Sequence, residues 1–277
     1  MKIGIFDSGI GGLSVLYEAR EKLPEADFIF YGDFDHVPYG EKSESEIISY
    51  ADDAVRFLSE NGCDAIVIAC NTATSAAASH LRSCYELPII GMEPAAKKAL
   101  ELDPEKRVIV AATPFTVSGP KMQELMERFD TEHHVDLLAM PLLVTFAERG
   151  EFVSEAVQEY IRNELSRYEL SAYSAFVLGC THFNYFKDTF REVLPEHIAL
   201  VDGNEGTVNQ LLRKVGAFPT EGCESRKINC EYADICHGCS VKEGTVRYYI
   251  SGRKASEADT ERFELLQERL GSMKAIV

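Results

Sequence analysis

With 277 residues, 45% of them hydrophobic and 26% charged, the chain can bury a core as one large domain or two medium ones, and its composition excludes wholesale disorder. A formal net charge of −17 excludes a nucleic-acid groove or an anionic membrane surface as the working face. Any anionic substrate must therefore be held by local donors and not by the overall field. The N-terminus enters a strand-like run directly, and no apolar stretch is long enough to span a bilayer, so a cytoplasmic location is expected. The eight cysteines then read as reduced thiols, not as a disulfide framework.

Apolar runs of strand length alternate with helix-like segments. Residues 2–6 predict a strand, 12–23 a helix, 27–32 a strand and 43–61 a helix. A strand at 64–69, a helix at 72–84 and a strand at 88–91 follow. The pattern restarts near residue 95, with strands at 107–112, 135–139, 174–179 and 198–201. Helices at 114–129, 151–168 and 204–215 intervene. A last strand at 246–250 and a helix at about 256–271 close the chain. This is α/β patterning of two similar lobes with mostly parallel sheets and an active site in the cleft between them. The first lobe is expected over 1–95, with 211–277 packing back on it, and the second over 96–210.

Two strands end alike. Ala65-Ile66-Val67-Ile68-Ala69 runs into Cys70-Asn71-Thr72, and Ala175-Phe176-Val177-Leu178-Gly179 runs into Cys180-Thr181-His182. A buried parallel strand presents such residues at its carboxyl end, where α/β sheets bind ligands. One strand-tip cysteine is readily an inert buried thiol beside a helix cap. Two of them, 110 residues apart and one per lobe, are hard to ascribe to packing. An imidazole two positions from Cys180 can activate that thiol. A single Cys–His pair would suggest acyl transfer. Two opposed thiols suggest proton transfer instead, one as base and one as acid, exchanging roles with direction.

Other loops occupy the same edge. Asp7-Ser8-Gly9-Ile10-Gly11-Gly12 follows the first strand and precedes a helix, which suits either a tight turn or an anion site. It fails the dinucleotide fingerprint, because Ser14 stands where a third glycine belongs, and it lacks a Walker ending. Val37-Pro38-Tyr39-Gly40-Glu41-Lys42 after the second strand reads alone as a β-turn.

Taken together, Asp7-Ser8-Gly9-Ile10-Gly11-Gly12-Leu13-Ser14-Val15, Val37-Pro38-Tyr39-Gly40-Glu41-Lys42-Ser43, Gly91-Met92-Glu93-Pro94 and the two cysteine motifs closely resemble the glutamate racemases, within the cofactor-independent aspartate/glutamate racemase family. The resemblance implies interconversion of L- and D-glutamate without a cofactor, supply of D-glutamate for peptidoglycan, and a homodimer. It implies Cys70 and Cys180 as the acid/base pair, Asp7 supporting the first and His182 the second, and Asp33 and Glu148 assisting proton transfer. It places the substrate against Asp7, Ser8, Tyr39, Gly40, Asn71, Thr72, Thr113, Thr116, Thr181 and His182. After His182 the family usually has an aromatic residue, Pro and Leu; here Phe183-Asn184-Tyr185 follows, beside the expected site.

Cys223, Cys230, Cys236 and Cys239 crowd into one late segment that the resemblance does not explain. Four thiolates can bind zinc, but the first spacing is long for a finger or ribbon, so a reduced or oxidisable insertion is the default expectation. The alternatives to a glutamate racemase are a racemase of aspartate or another acidic amino acid, and a non-catalytic metal-binding protein on a racemase scaffold.

Overall fold

A computed structural model describes residues 1–92, 95–217 and 243–276. The four late cysteines, and Glu93 and Pro94 of the fourth-strand motif, lie outside the described residues.

The first part of the chain runs β1 (Lys2–Asp7), a 3₁₀ turn (Ile10–Gly12), α1 (Leu13–Lys22), β2 (Asp27–Gly32), a 3₁₀ turn (Tyr39–Glu41), α2 (Glu44–Glu60), β3 (Ala65–Ile68), α3 (Asn71–Cys84) and β4 (Ile89–Gly91). The second runs α4 (Ala96–Leu100), β5 (Arg107–Ala112), α5 (Pro114–Ser118), α6 (Pro120–Phe129), β6 (Val135–Ala139), α7 (Pro141–Glu148), α8 (Glu155–Leu165), β7 (Tyr173–Leu178), a 3₁₀ turn (Thr181–Phe186), α9 (Lys187–Val193), β8 (Ala199–Asp202) and α10 (Asn204–Lys214). The chain ends with β9 (Val246–Ile250), β10 (Arg253–Lys254) and α11 (Glu257–Met273).

Among the described residues the strands form two sheets, ordered β10-β9-β2-β1-β3-β4 and β6-β5-β7-β8. Every pairing is parallel except the short β9–β10 ribbon. β1, β2, β3, β5 and β7 are buried almost throughout, which is why they read as continuous apolar runs and not as alternating ones. The cores β2-β1-β3-β4 and β6-β5-β7-β8 repeat one topology. In each, the chain leaves the central strand, adds a neighbour on one side, then crosses to the other. Those switch points, between β1 and β3 and between β5 and β7, are where open α/β sheets form ligand crevices.

Three local differences from the sequence expectation have simple causes. The single helix expected over 114–129 is two, because Pro120 takes the first position of α6 and cannot donate the backbone bond that would continue α5. The helix expected from 151 starts at Glu155, with Ser154 as its N-cap. α7 was not expected at all; it begins at Pro141 and ends at Glu148, just before Gly150 with its φ of +74°. β9 pairs with β2, and α11 lies over that end of the sheet, where Phe263 packs on Phe30 and Tyr248 with ring centroids 6.0 and 5.3 Å apart.

Candidate active site

Each cysteine sits two residues beyond the last residue of its strand, Cys70 after β3 and Cys180 after β7. The two switch points face each other, so both sulfurs reach one cavity with about 20 Å³ of free space, little more than a single water needs. Wider grooves exist, one of about 1090 Å³ beside Arg82 and Lys214, but its lining carries no thiol. Chemistry, not size, marks the site.

Cys70 is the N-cap of α3: the Ala73 amide donates to its sulfur at 3.4 Å, and Ser8 Oγ lies 3.5 Å away. Burial nevertheless pushes the thiol up to about 12, with the Asp7 charge adding to the effect. Asp7, at the tip of β1, is itself fully buried; that raises its carboxyl from 3.8 to about 6, although His182 and two hydrogen bonds pull the other way. Those bonds come from the Gly9 amide at 3.0 Å and from Thr181 Oγ1 at 3.1 Å. Asp7 thus faces the cysteine of its own lobe while it is tied to the turn that carries the other.

The Cys180 side is built differently. His182 Nδ1 lies 3.7 Å from Cys180 Sγ, and His182 Nε2 lies 2.7 Å from Glu148 Oε1. Burial alone would depress the imidazole, but the hydrogen bonds to Cys180 and Glu148 outweigh it and hold His182 well above its ordinary value. As an imidazolium, His182 donates to both partners. Glu148 is fixed by a second bond, from the Ile10 amide at 2.8 Å.

Polar groups able to meet a ligand ring the same cavity. Ser8, Tyr39, Gly40, Asn71, Thr72, Thr113 and His182 all line it. Thr72 Oγ1 and Thr113 Oγ1, from different sheets, lie 2.9 Å apart, and Thr116 Oγ1 is within 3.3 Å of both. Asn71 Oδ1 is buried without a partner among the described residues, an acceptor suited to an ammonium donor. Tyr39 Oη donates to Asp33 at 2.7 Å, and Asp33 also accepts from Ser251 Oγ at 2.8 Å. Gly40 brings this loop against Thr113, because a Cβ there would press on the Thr113 Cβ.

The structure therefore gathers nine of the expected residues on the cavity wall: Ser8, Tyr39, Gly40, Cys70, Asn71, Thr72, Thr113, Cys180 and His182. It sets Thr116 and Glu148 one bond behind, and pairs Asp7 with Thr181 behind the wall. Asp33 reaches the site only through Tyr39. Asn184 and Tyr185, expected beside the site, do not line the cavity. Asn184 bonds back to the Thr181 carbonyl, and Tyr185 points to the Ile10 carbonyl. Pro38, Glu41, Pro114, Pro141 and Val144 complete the walls; the last three were not singled out as site residues from sequence. The only signal for the last two was Pro141 itself, a helix-start residue seven positions before Glu148.

Residues 14–211 match the family model for the Asp/Glu/hydantoin racemases. The chain is 49% identical to the glutamate racemase of Lachnospira eligens over 100% of both chains. It is 53% identical to that of Campylobacter curvus over 84% of this chain and 90% of the relative. The chain belongs to this racemase family. Its fold superposes on Escherichia coli glutamate racemase, solved with L-glutamate and the activator UDP-MurNAc-ala, with a TM-score of 0.73 and 31% identity over 79% of this chain and 84% of that one. The protein is thus an amino-acid racemase. Among the described residues no cluster of three or more His, Cys, Asp or Glu is arranged to hold a metal, and no helix is long and apolar enough to cross a membrane.

Two outcomes follow for this racemase site. An unfolded Asp7 ionises near its ordinary value, whereas the folded chain keeps that proton until about pH 6. Folding stability therefore falls between about pH 4 and 6 and stays lower above that window. Asp7→Asn should raise the unfolding free energy near pH 7.5 by on the order of 2–3 kcal/mol, the gain fading near pH 3.5, as read from urea curves at both pH values. A Cβ on Gly11 would overlap the Thr181 hydroxyl and the His182 ring and amide. Gly11→Ala should therefore cut turnover roughly 100-fold, while the circular dichroism spectrum stays that of the parent.

Proposed function

We propose that the chain interconverts L- and D-glutamate by two-base proton transfer and so supplies D-glutamate for peptidoglycan. The observation that carries this reading is the pair of sulfurs on one buried cavity, each with its own proton-handling partners. A thiolate at one sulfur takes the Cα proton. The electron pair of the broken C–H bond passes into the adjacent carboxylate as a planar carbanion. The thiol opposite then gives its proton to the other face, and the centre is inverted. Protons are conserved; the two sulfurs have exchanged states.

The asymmetry of the site supports a starting arrangement. Burial keeps Cys70 a thiol, ready as the acid, while His182 Nδ1 stands 3.7 Å from Cys180 Sγ. Reaction in the opposite sense needs the reverse arrangement, and Asp7 and Ser8 are the groups positioned to redistribute charge on the Cys70 side.

An acidic substrate fits the wall. No Lys or Arg among the described residues lines the cavity, so hydroxyls and helix-end amides must carry anion recognition. Thr72, Thr113 and Thr116 can turn their hydroxyls toward a carboxylate, and the unpartnered Asn71 oxygen suits the ammonium. Donors fixed around the α-carboxylate also stabilise the carbanion, the step for which no electron sink is at hand. Glutamate rather than aspartate is supported by the relatives, named glutamate racemases at 49% and 53% identity. The narrow cavity admits such a ligand only if the lobes or the Tyr39–Glu41 loop move apart.

Purified protein incubated with either enantiomer in deuterated water should place deuterium at Cα and lose optical rotation. Exchange with aspartate but not glutamate would move the substrate assignment, and exchange with neither would sink the enzyme reading. Cys70→Ser and Cys180→Ser should each lower racemisation by roughly 10²- to 10⁴-fold; wild-type turnover in either variant would contradict the two-base scheme.

A further inference from the structure

Tyr185 stands in the segment after His182 where this chain departs from the expected Pro-Leu pattern, and the structure ties it to every part that holds His182 in place. The residue is fully buried, and its hydroxyl donates to the Ile10 carbonyl at 3.0 Å. The Ile10 amide donates in turn to Glu148 Oε1, which accepts from His182 Nε2. His182 and Tyr185 share the turn Thr181–Phe186, so the bonds close a ring: turn, phenol, glycine loop, carboxylate, imidazole, turn. The Tyr185 ring stacks on Phe152, 5.1 Å between centroids at 26°, which anchors it to the segment just beyond Glu148. Its carbonyl accepts two bonds from Arg269 of α11, at 2.8 and 3.1 Å, while that guanidinium packs over the Phe152 ring and pairs with Asp188.

We propose that Tyr185 is a positioning residue for the Cys180 half of the proton relay, and that α11 acts through it by way of Arg269. Tyr185 touches neither sulfur nor the cavity. Its role is to set the His182–Glu148 geometry by holding the Ile10 peptide, whose two polar atoms serve the phenol and the carboxylate. Removing the hydroxyl leaves the Ile10 carbonyl buried without its donor and frees the loop to shift, which would loosen the Glu148 anchor. Cys70 has no bond to this ring, so its proton transfer should be left nearly intact.

This inference rests on the two-base reading, and it predicts an unequal effect on the two transfers. Tyr185→Phe should lower kcat by between about 10- and 100-fold with little change in melting temperature. The deciding readout is the primary isotope effect on kcat/KM with Cα-deuterated L- and D-glutamate. Slowing only the Cys180 step makes that step more rate-limiting. The isotope effect should then rise for the enantiomer that Cys180 deprotonates and fall for the other. Arg269→Gln, at a partly exposed position, should shift both values in the same senses by smaller amounts, and it serves as the test if the buried variant does not fold. Isotope effects that stay put or move together for both enantiomers would overturn the assignment. Loss of Cα exchange in the unmodified enzyme would instead remove the reading beneath it.

Discussion

The site depends on keeping two thiols, a carboxylic acid and an imidazole in a slot almost closed to water. Burial works against every charged form there, and its effects do not fall evenly. On the Cys180 side the penalty on His182 is outweighed by its hydrogen bonds to Cys180 and Glu148, which hold the imidazole above its ordinary value. On the Cys70 side burial outweighs the pull of His182 on Asp7, so both Asp7 and Cys70 are pushed toward their protonated forms. Near-equivalent positions in the fold thus become chemically unequal. Because enantiomers have equal free energies, this inequality cannot bias the equilibrium; on the proposed two-base reading it bears on which of the two transfers limits the rate.

That inequality is laid over a repeat. Both sheets place a central strand beside a crossover strand, and each crossover strand is followed by a small residue and then the cysteine. The central strands supply the partners: Asp7 ends β1, and Thr113 directly follows β5. Face-to-face switch points bring four strand tips into one volume, and the cross-sheet bonds Asp7–Thr181, Ile10–Glu148 and Thr72–Thr113 hold them there. These bonds are also the ones that any separation of the lobes must break. On the proposed reading, opening for substrate and dismantling the relay are therefore one motion.

Much of this was legible in the sequence because buried parallel strands leave long apolar runs, and both cysteines follow such runs directly. Asp7, Ser8, Tyr39 and Thr113 are near strand ends for the same reason. What could not be read depends on contacts remote in the chain. α7 has only eight residues, and its importance lies in delivering Glu148 to a histidine 34 positions later. Arg269 and Arg262 sit on an ordinary amphipathic helix, and nothing local shows that they grip the carbonyls of Tyr185 and Glu148. Asn184 and Tyr185 stand beside the expected site in the sequence, yet their side chains bond back to Thr181 and Ile10 and do not line the cavity.

The absence of Lys and Arg from the described cavity wall bears on specificity as much as on charge. A buried guanidinium would bind any carboxylate strongly, in ground state and transition state alike, and such uniform binding does not speed the chemical step. Hydroxyls at Thr72, Thr113 and Thr116 are weaker donors whose hydrogens reorient, and they come from both lobes. Their contacts with one another bridge α3 and the segment after β5, so on the proposed reading anion recognition depends on the two halves of the site being together. An acid too short to reach donors on both sides would leave some of these hydroxyls bonded to each other and would do less to hold the closed state. On the proposed reading, discrimination between acidic substrates of different length arises from how completely each one joins the two halves of the site.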